Sequence, residues 1–384
     1  MIPDMTTIEL KTLVQQVFTP SHQEDTLLFL VDFPDVRSRD EELWKNRRHL
    51  VLDWAKKLHA VRYEVPLKKV HIACYVNVHA QNADLPGLFY LIKDPSGLNS
   101  LETLPDRLEY INLDALFAAH QLIIAPTQFS ATAPLKILAK KYQFKAATMP
   151  GFTPDMIPAL RLNYHEINRR VTKIKEFLDP AIGMEIQFLV DDFEGHHIYF
   201  DLRHRLAHVS GGRFPDPGTA GNLPGGECYI VPYEGEQSES TLSQGILPVQ
   251  LGNDVVLYRI EKNRAIDTLS CNDVSVNERQ KLYDEPAYGN IAEIGFGVLR
   301  DFGVEPVNKI LLDEKLGLHV AFGRSDHFGG MIGVKDFSTP EEAVHIDRVY
   351  VPELQTRIQV TEVTLRFPNN RQMSLMKNGV YTIF

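Results

Sequence analysis

The chain has 384 residues, 44% hydrophobic and 23% charged, with a formal net charge of −10. That length suits two domains with full cores, and the acidity argues against a nucleic-acid backbone as the main partner, because such binding needs a surplus of lysine and arginine. Cys74, Cys228 and Cys271 are the only cysteines and lie far apart, which excludes a disulfide framework or zinc knuckle and fits a reducing compartment.

The N-terminal M-I-P-D-M-T-T-I-E-L-K is polar and carries acids, unlike a secretory signal. No apolar run approaches the length of a membrane span, so the expected location is the cytoplasm, away from membranes. Thr26–Phe33 reads as a buried strand, and Glu41–His59 as a helix with a basic face. Val70–Asn77 is a second strand, Leu113–Ala119 a short helix and Gln121–Ala125 a strand. Ala133–Tyr142 is helical, and Phe144–Met149 returns to strand. Nearly continuous apolar strands alternating with amphipathic helices predict a mostly parallel sheet covered on both faces. Neither G-x-G-x-x-G after the first strand nor G-x-x-x-x-G-K-[ST] occurs, so this half reads as a scaffold.

After the break at Met149–Thr153, apolar residues from Ile157 to Leu178 form one stripe and predict a single helix from about Pro154 to Leu178. Thr153 is its expected N-cap and Pro154 stands at N1. Asp179-Pro180 ends it and marks a domain boundary. Short β-type segments follow, joined by Gly/Pro/Asp turns: Glu185–Val190, His197–Leu202, Cys228–Pro232, Gly245–Gln250, Val255–Arg259, Lys309–Leu312, Gly317–Phe322, Val344–Val351 and Arg357–Val363. The expected fold class is α/β, with a mostly parallel α/β scaffold domain over residues 1–180. A β-rich (α+β) metal-binding domain follows over residues 181–384.

His165-Glu166 opens a possible H-E-x-x-H, but position 169 is Arg, so the helix lacks the second histidine. No G-x-S-x-G is present. A different set stands out in the second half. Glu227 lies in G-N-L-P-G-G-E-C-Y, Glu293 in A-E-I-G-F-G, His319 in G-L-H-V-A-F-G, and His345 and Asp347 in V-H-I-D-R-V-Y. Ionisable groups beside apolar strands are costly unless paired or coordinated. In a strand, H-x-D points both side chains to one face, and imidazole and carboxylate are suitable ligands for Zn²⁺, Co²⁺, Mn²⁺ or Fe²⁺. Each residue also has a structural alternative. A lone strand histidine is more often a hydrogen-bonded core residue. Glu293 fits a helix cap or a pair with Arg300, and Glu227 fits a carboxylate bonded within its own turn.

These segments resemble the thermophilic aminopeptidase T family of metallopeptidases (family M29). The matching words are G-N-L-P-G-G-E (221–227), A-E-I-G-F-G (292–297), D-E-K-L-G-L-H-V-A-F-G (313–323), F-G-G (328–330) and H-I-D (345–347). S-A-T-A-P-L (130–135) and A-T-M-P-G-F (147–152) are similar to segments of the family's first domain. The resemblance implies a dimeric two-domain exopeptidase that removes N-terminal residues from peptides, or hydrolyses a related amide, with two divalent metal ions (Zn, Co or Mn). Carried over residue by residue, the metal ligands are Glu227, Glu293, His319, His345 and Asp347, with Glu227 alternatively a proton shuttle. The family's Tyr, seven residues after the histidine matching His319, is here Asp326, followed by His327. Either is a candidate for its catalytic role, or the pair is simply a turn. Two further readings follow. In ring-cleaving dihydroxypyridine dioxygenases, which the H-x-D ending also resembles, His319, His345 and Asp347 would form an Fe(II) triad. A non-catalytic peptide-binding relative would keep only the fold.

Overall fold

The computed structural model describes residues 4–104 and 109–384. They form two compact units. The first holds the described residues up to Asn168 together with Gly212–Gly225, and the second holds Arg169–Gly211 and Gly226–Phe384. The division falls inside a helix, upstream of Asp179-Pro180, and the chain returns to the first unit for Gly212–Gly225.

The first unit is a seven-stranded sheet in the order Ala220–Asn222, Lys145–Thr148, Leu122–Ala125, Thr26–Phe33, Lys69–Val76, Leu88–Ile92, Glu109–Asn112. The first five strands run parallel, and the last two form an antiparallel edge. Thr26–Phe33 lies mid-sheet and every residue is buried, which is why it reads as an unbroken apolar run. Leu28, Leu30, Tyr75, Phe89, Phe117 and Phe144 share one core cluster.

The basic face expected of the helix Glu42–Ala60 is only partly a solvent face. Arg47 and Arg48 are buried: Arg47 Nε donates to the Phe152 carbonyl (2.9 Å), and Arg48 pairs with Asp40 (2.7 Å). The single helix expected over Pro154–Leu178 is interrupted. A 3-10 turn Pro154–Met156 and a short helix Ile157–Leu160 precede the helix Tyr164–Leu178. Thr153 stands at the N-cap position but makes no side-chain cap bond. The cap of the long helix is Asn163, whose Oδ1 accepts from the His165 and Glu166 amides. An Asn cap starts a new helix and so stops the earlier one, although the apolar stripe runs through both. The helix Thr7–Phe18, closed by a capping box of Thr6 and Glu9, has no counterpart among the expected elements.

The second unit carries two antiparallel sheets. The larger has eight strands, in the order Arg264–Thr268, Asp254–Glu261, Gln244–Leu251, Glu194–Asp201, Gly183–Val190, Ile358–Arg366, Gln372–Lys377, Val380–Tyr381. The smaller has five: His345–Val349, Leu318–Gly323, Ile291–Gly297, Glu227–Ile230, His208–Ser210. One face of the smaller sheet meets the larger. The Tyr258 and Phe322 rings meet at a tilt of 51° with centres 5.1 Å apart, and the Tyr381 hydroxyl donates to the Gly297 carbonyl (2.7 Å). Lys309–Leu312, expected as strand, is instead the helical turn Ile310–Asp313. An apolar run this short does not separate the two states.

Candidate metal centre

Strand alternation builds the site on the outer face of the five-stranded sheet. Cys228, Ile294, Phe296, Val320 and Phe322 turn inward and are buried. Their neighbours Glu227, Glu293 and His319 turn to the other face. Register aligns them, with Glu227 opposite Gly297, Gly295 opposite His319, and Ala321 opposite both Glu293 and Asp347. A bulge sets the side chain of Glu293. The pairing shifts between Ile291 and Glu293, so Ile291 pairs with core-facing Phe322 while Glu293 pairs with Ala321. Without the extra residue, Ile291 and Glu293 would share a face; the bulge sends the carboxylate outward.

Small residues leave room for the polar ones. A Cβ on Gly295 would stand 2.0 Å from His319 Nε2, so the imidazole occupies the space above a glycine. A Cβ on Gly297 would lie 2.1 Å from the Lys315 backbone, which crosses there at close range. The A-E-I-G-F-G word is thus one carboxylate and two clearances.

Five residues named from sequence converge. Glu227, Glu293 and His319 place ligand atoms within 4.8 Å of one another, and so do Glu293, His345 and Asp347. Glu293 belongs to both groups. Its Oε1 lies 3.3 Å from His319 Nε2 and its Oε2 lies 3.4 Å from His345 Nε2. Glu227 Oε2 is 3.4 Å from His319 Nε2, and Asp347 Oδ1 is 3.5 Å from His345 Nε2. Each imidazole is oriented from behind: His345 Nδ1 meets the Arg324 carbonyl (2.9 Å) and His319 Nδ1 the Gly317 carbonyl (3.4 Å). This aims both Nε2 atoms at the carboxylates, as a carbonyl bonded to the far nitrogen does for metal-binding histidines.

The charge balance fits a cation. Burial alone would depress His319, but the hydrogen bond to Glu293 and the charges of Glu227, Glu293 and Asp347 outweigh it and raise its pKa to about 9. Burial also works against His345, yet Asp347 and Glu293 hold its pKa well above the ordinary value. Asp347 and Glu293 are correspondingly lowered against their burial, by His345 for the first and by both histidines for the second. Burial pushes Glu227 up, opposed by Lys315 and His319. The Glu227 Oε2 atom is buried without a hydrogen-bond partner. An orphaned carboxylate oxygen beside imidazole nitrogens is the donor set a divalent ion requires.

Lys315 escaped the sequence reading. It is fully buried, and its Nζ bonds both Glu227 Oε1 and Glu314 Oε1. A lysine followed at once by the apolar L-G-L-H-V-A-F-G run was the available signal. Asp326 and His327 lie in one 3-10 turn, with His327 Nδ1 3.5 Å from Asp326 Oδ1. Asp326 also pairs with Arg324 (2.6 Å). His327 stacks edge-on to His345 with ring centres 5.2 Å apart. Burial, with the charges of His345 and Arg324, lowers its pKa to about 4. Arg300 pairs with Glu353 (2.8 Å), not with Glu293.

No family model matches the chain, and no match emerges among curated proteins. Solved structures do match. Its fold is that of 2,5-dihydroxypyridine dioxygenase from Pseudomonas putida KT2440, with a TM-score of 0.60 and 13% identity over 98% of both chains. Wild-type AmpT from Thermus thermophilus is similar with a TM-score of 0.53 and 13% identity, over 98% of this chain and 99% of that one. Both likenesses establish the mixed α/β fold. Among the described residues, no helix is long and apolar enough to cross a membrane.

Proposed function

We propose that this protein is a metal-dependent aminopeptidase that removes N-terminal residues from peptides or hydrolyses a related small amide. The observation that carries the reading is Glu293, one carboxylate shared by two ligand groups with an oxygen toward each. Glu227 and His319 would hold one divalent ion (Zn, Co or Mn) and His345 and Asp347 the other, with Glu293 common to both. Two such ions, when bound, supply Lewis acidity toward a carbonyl and a nucleophile at neutral pH.

The chain's own groups do the rest. Lys315 fixes Glu227 by one oxygen and leaves the other facing the site. Gly317 and Arg324 carbonyls hold the imidazoles in the orientation that presents Nε2. Of the two residues at the place of the family tyrosine, His327 is the better candidate for contacting substrate, because Asp326 is engaged by Arg324. Its lowered pKa keeps it neutral near pH 7, able to accept a proton or a hydrogen bond. A homodimer is part of the proposal, by the same resemblance. Glu293→Ala and His345→Ala should each abolish release of N-terminal residues from short peptides; full activity in both would end this reading.

A mononuclear iron dioxygenase is the second reading, favoured by the match at TM-score 0.60. It needs only His319, His345 and Asp347 and leaves the buried pair Glu227 and Glu293 without a role. One iron per chain with oxygen uptake would select it.

A further inference from the structure

We propose that the strand His345–Val349 is a docking edge on which the extended backbone of a peptide pairs as an added β-strand. This rests on the peptidase reading above and specifies how its substrate is held.

His345–Val349 is an outer strand of the five-stranded sheet and, among the described residues, pairs with Leu318–Gly323 alone. Two flanking bonds fix which backbone groups face outward. Just before the strand, the Arg324 amide donates to the Val344 carbonyl (2.8 Å); just after it, the Tyr350 amide donates to the Leu318 carbonyl (2.7 Å). Hydrogen-bonded pairs alternate in an antiparallel ladder. Residues 344, 346, 348 and 350 therefore bond inward, and the amides and carbonyls of 345, 347 and 349 face out. Gln355 Nε2 occupies the Val349 carbonyl (3.0 Å). Among the described residues, no hydrogen bond engages the outward backbone groups of His345 or Asp347.

These same two residues supply side chains to the candidate metal centre, so a strand added here lies beside that centre. Its alternate side chains would point to opposite faces. Those on the site face meet the carboxylates and imidazoles. Those on the other face meet a cavity of about 510 Å³ lined by Val344, Ile346, Tyr288, Ser338 and Glu342. A second hollow of about 200 Å³, lined by Asp347, Val349, Gln250 and Leu354, continues along the strand. Backbone pairing with pockets for alternate side chains is the general form of peptide recognition by strand addition.

The test is amide hydrogen exchange over residues 345–349 of the full-length, metal-supplemented protein. The probe is an unblocked tetra-alanine whose first peptide bond is reduced to a methylene-amine, so that it is not cleaved. Saturating probe should slow exchange at the Asp347 amide by about tenfold or more. N-methylation at alternate probe positions should weaken binding by about tenfold, while methylation at the intervening positions leaves it within about twofold, following the ladder's period of two. The proposal is overturned if calorimetry shows binding without protection, if the probe does not bind, or if protection rises with protein concentration alone, which would assign the edge to a second copy. Ordinary tetra-alanine hydrolysis on the same sample separates the two claims. Hydrolysis without protection removes the edge pairing only; protection without hydrolysis removes the peptidase reading only.

Discussion

Gly295→Ala adds one methyl group, and its effect follows from the space above that residue. The new Cβ would fall 2.0 Å from His319 Nε2 and 2.1 Å from its Cε1. Both are far inside van der Waals contact, and His319 is fully buried between Glu227 and Glu293. The contact is with the tip of a ring, so the imidazole can rotate away and the strand can stay in place. Stability should therefore fall by only about 1–3 kcal/mol, the usual range for overpacking. The rotated ring no longer presents Nε2 between the two carboxylates. Metal affinity should fall by at least about 100-fold, or about 2.7 kcal/mol, since even changes behind a ligand cost 10–100-fold. Metal content after dialysis and a denaturant melt read the two effects separately. His319→Ala supplies the control, because the three atoms nearest the added methyl all belong to that ring. Gly295→Ala should then cost almost nothing further, a strongly non-additive pair. Wild-type metal content in Gly295→Ala, or additive losses in the double variant, would refute this account of the glycine.

Lys315→Met leaves Glu227 buried without its cation and should destabilise the protein by about 3–5 kcal/mol in denaturant melts. Adding Glu227→Gln should recover part of that loss, because removing a whole buried pair is milder than breaking it; no recovery would mean that Lys315 acts elsewhere. The metal-free protein should also show a pH signature. His319 is raised from 6.5 to about 9, so its contribution to stability is complete below pH 6.5 and lost as pH rises through 9. Metal binding needs the neutral imidazole, so binding near pH 7.5 should release protons from His319 and His345. Calorimetry in two buffers of different ionisation heat detects this, and identical heats would contradict it.

The core strands were legible because burial on both faces writes an unbroken apolar run. Thr26–Phe33 matches residue for residue, and Gln121–Ala125 to within one residue. The edge strand Glu109–Asn112 was not read, since exposure breaks its pattern: Glu109, Tyr110 and Asn112 are all exposed. Its neighbour Leu88–Ile92 was also passed over, although L-F-Y-L-I is an unbroken, mostly buried apolar run of the kind that marks the other core strands. The helix from Pro154 looked continuous because the apolar stripe is continuous, while the Asn163 cap that divides it is a local hydrogen-bonding choice that periodicity does not register.

At the site, residue types and the H-x-D spacing named the candidates, but spacing carries no information on whether four segments meet. That meeting depends on register, on the bulge before Glu293 and on the clearance at Gly295, none of which is a periodic signal. Lys315 was hidden for a related reason. Its role appears only where the chain crosses Gly297 and brings the ammonium against Glu227.

The central claim is a two-ion site that hydrolyses peptides. Its most direct test is metal content of the unsupplemented protein, measured beside a panel of short peptides and an oxygen electrode on the same sample. About two divalent ions per chain, release of N-terminal residues, and loss of both on chelation are the predicted results. One iron per chain with oxygen uptake, or peptide hydrolysis that survives complete metal removal, would contradict it.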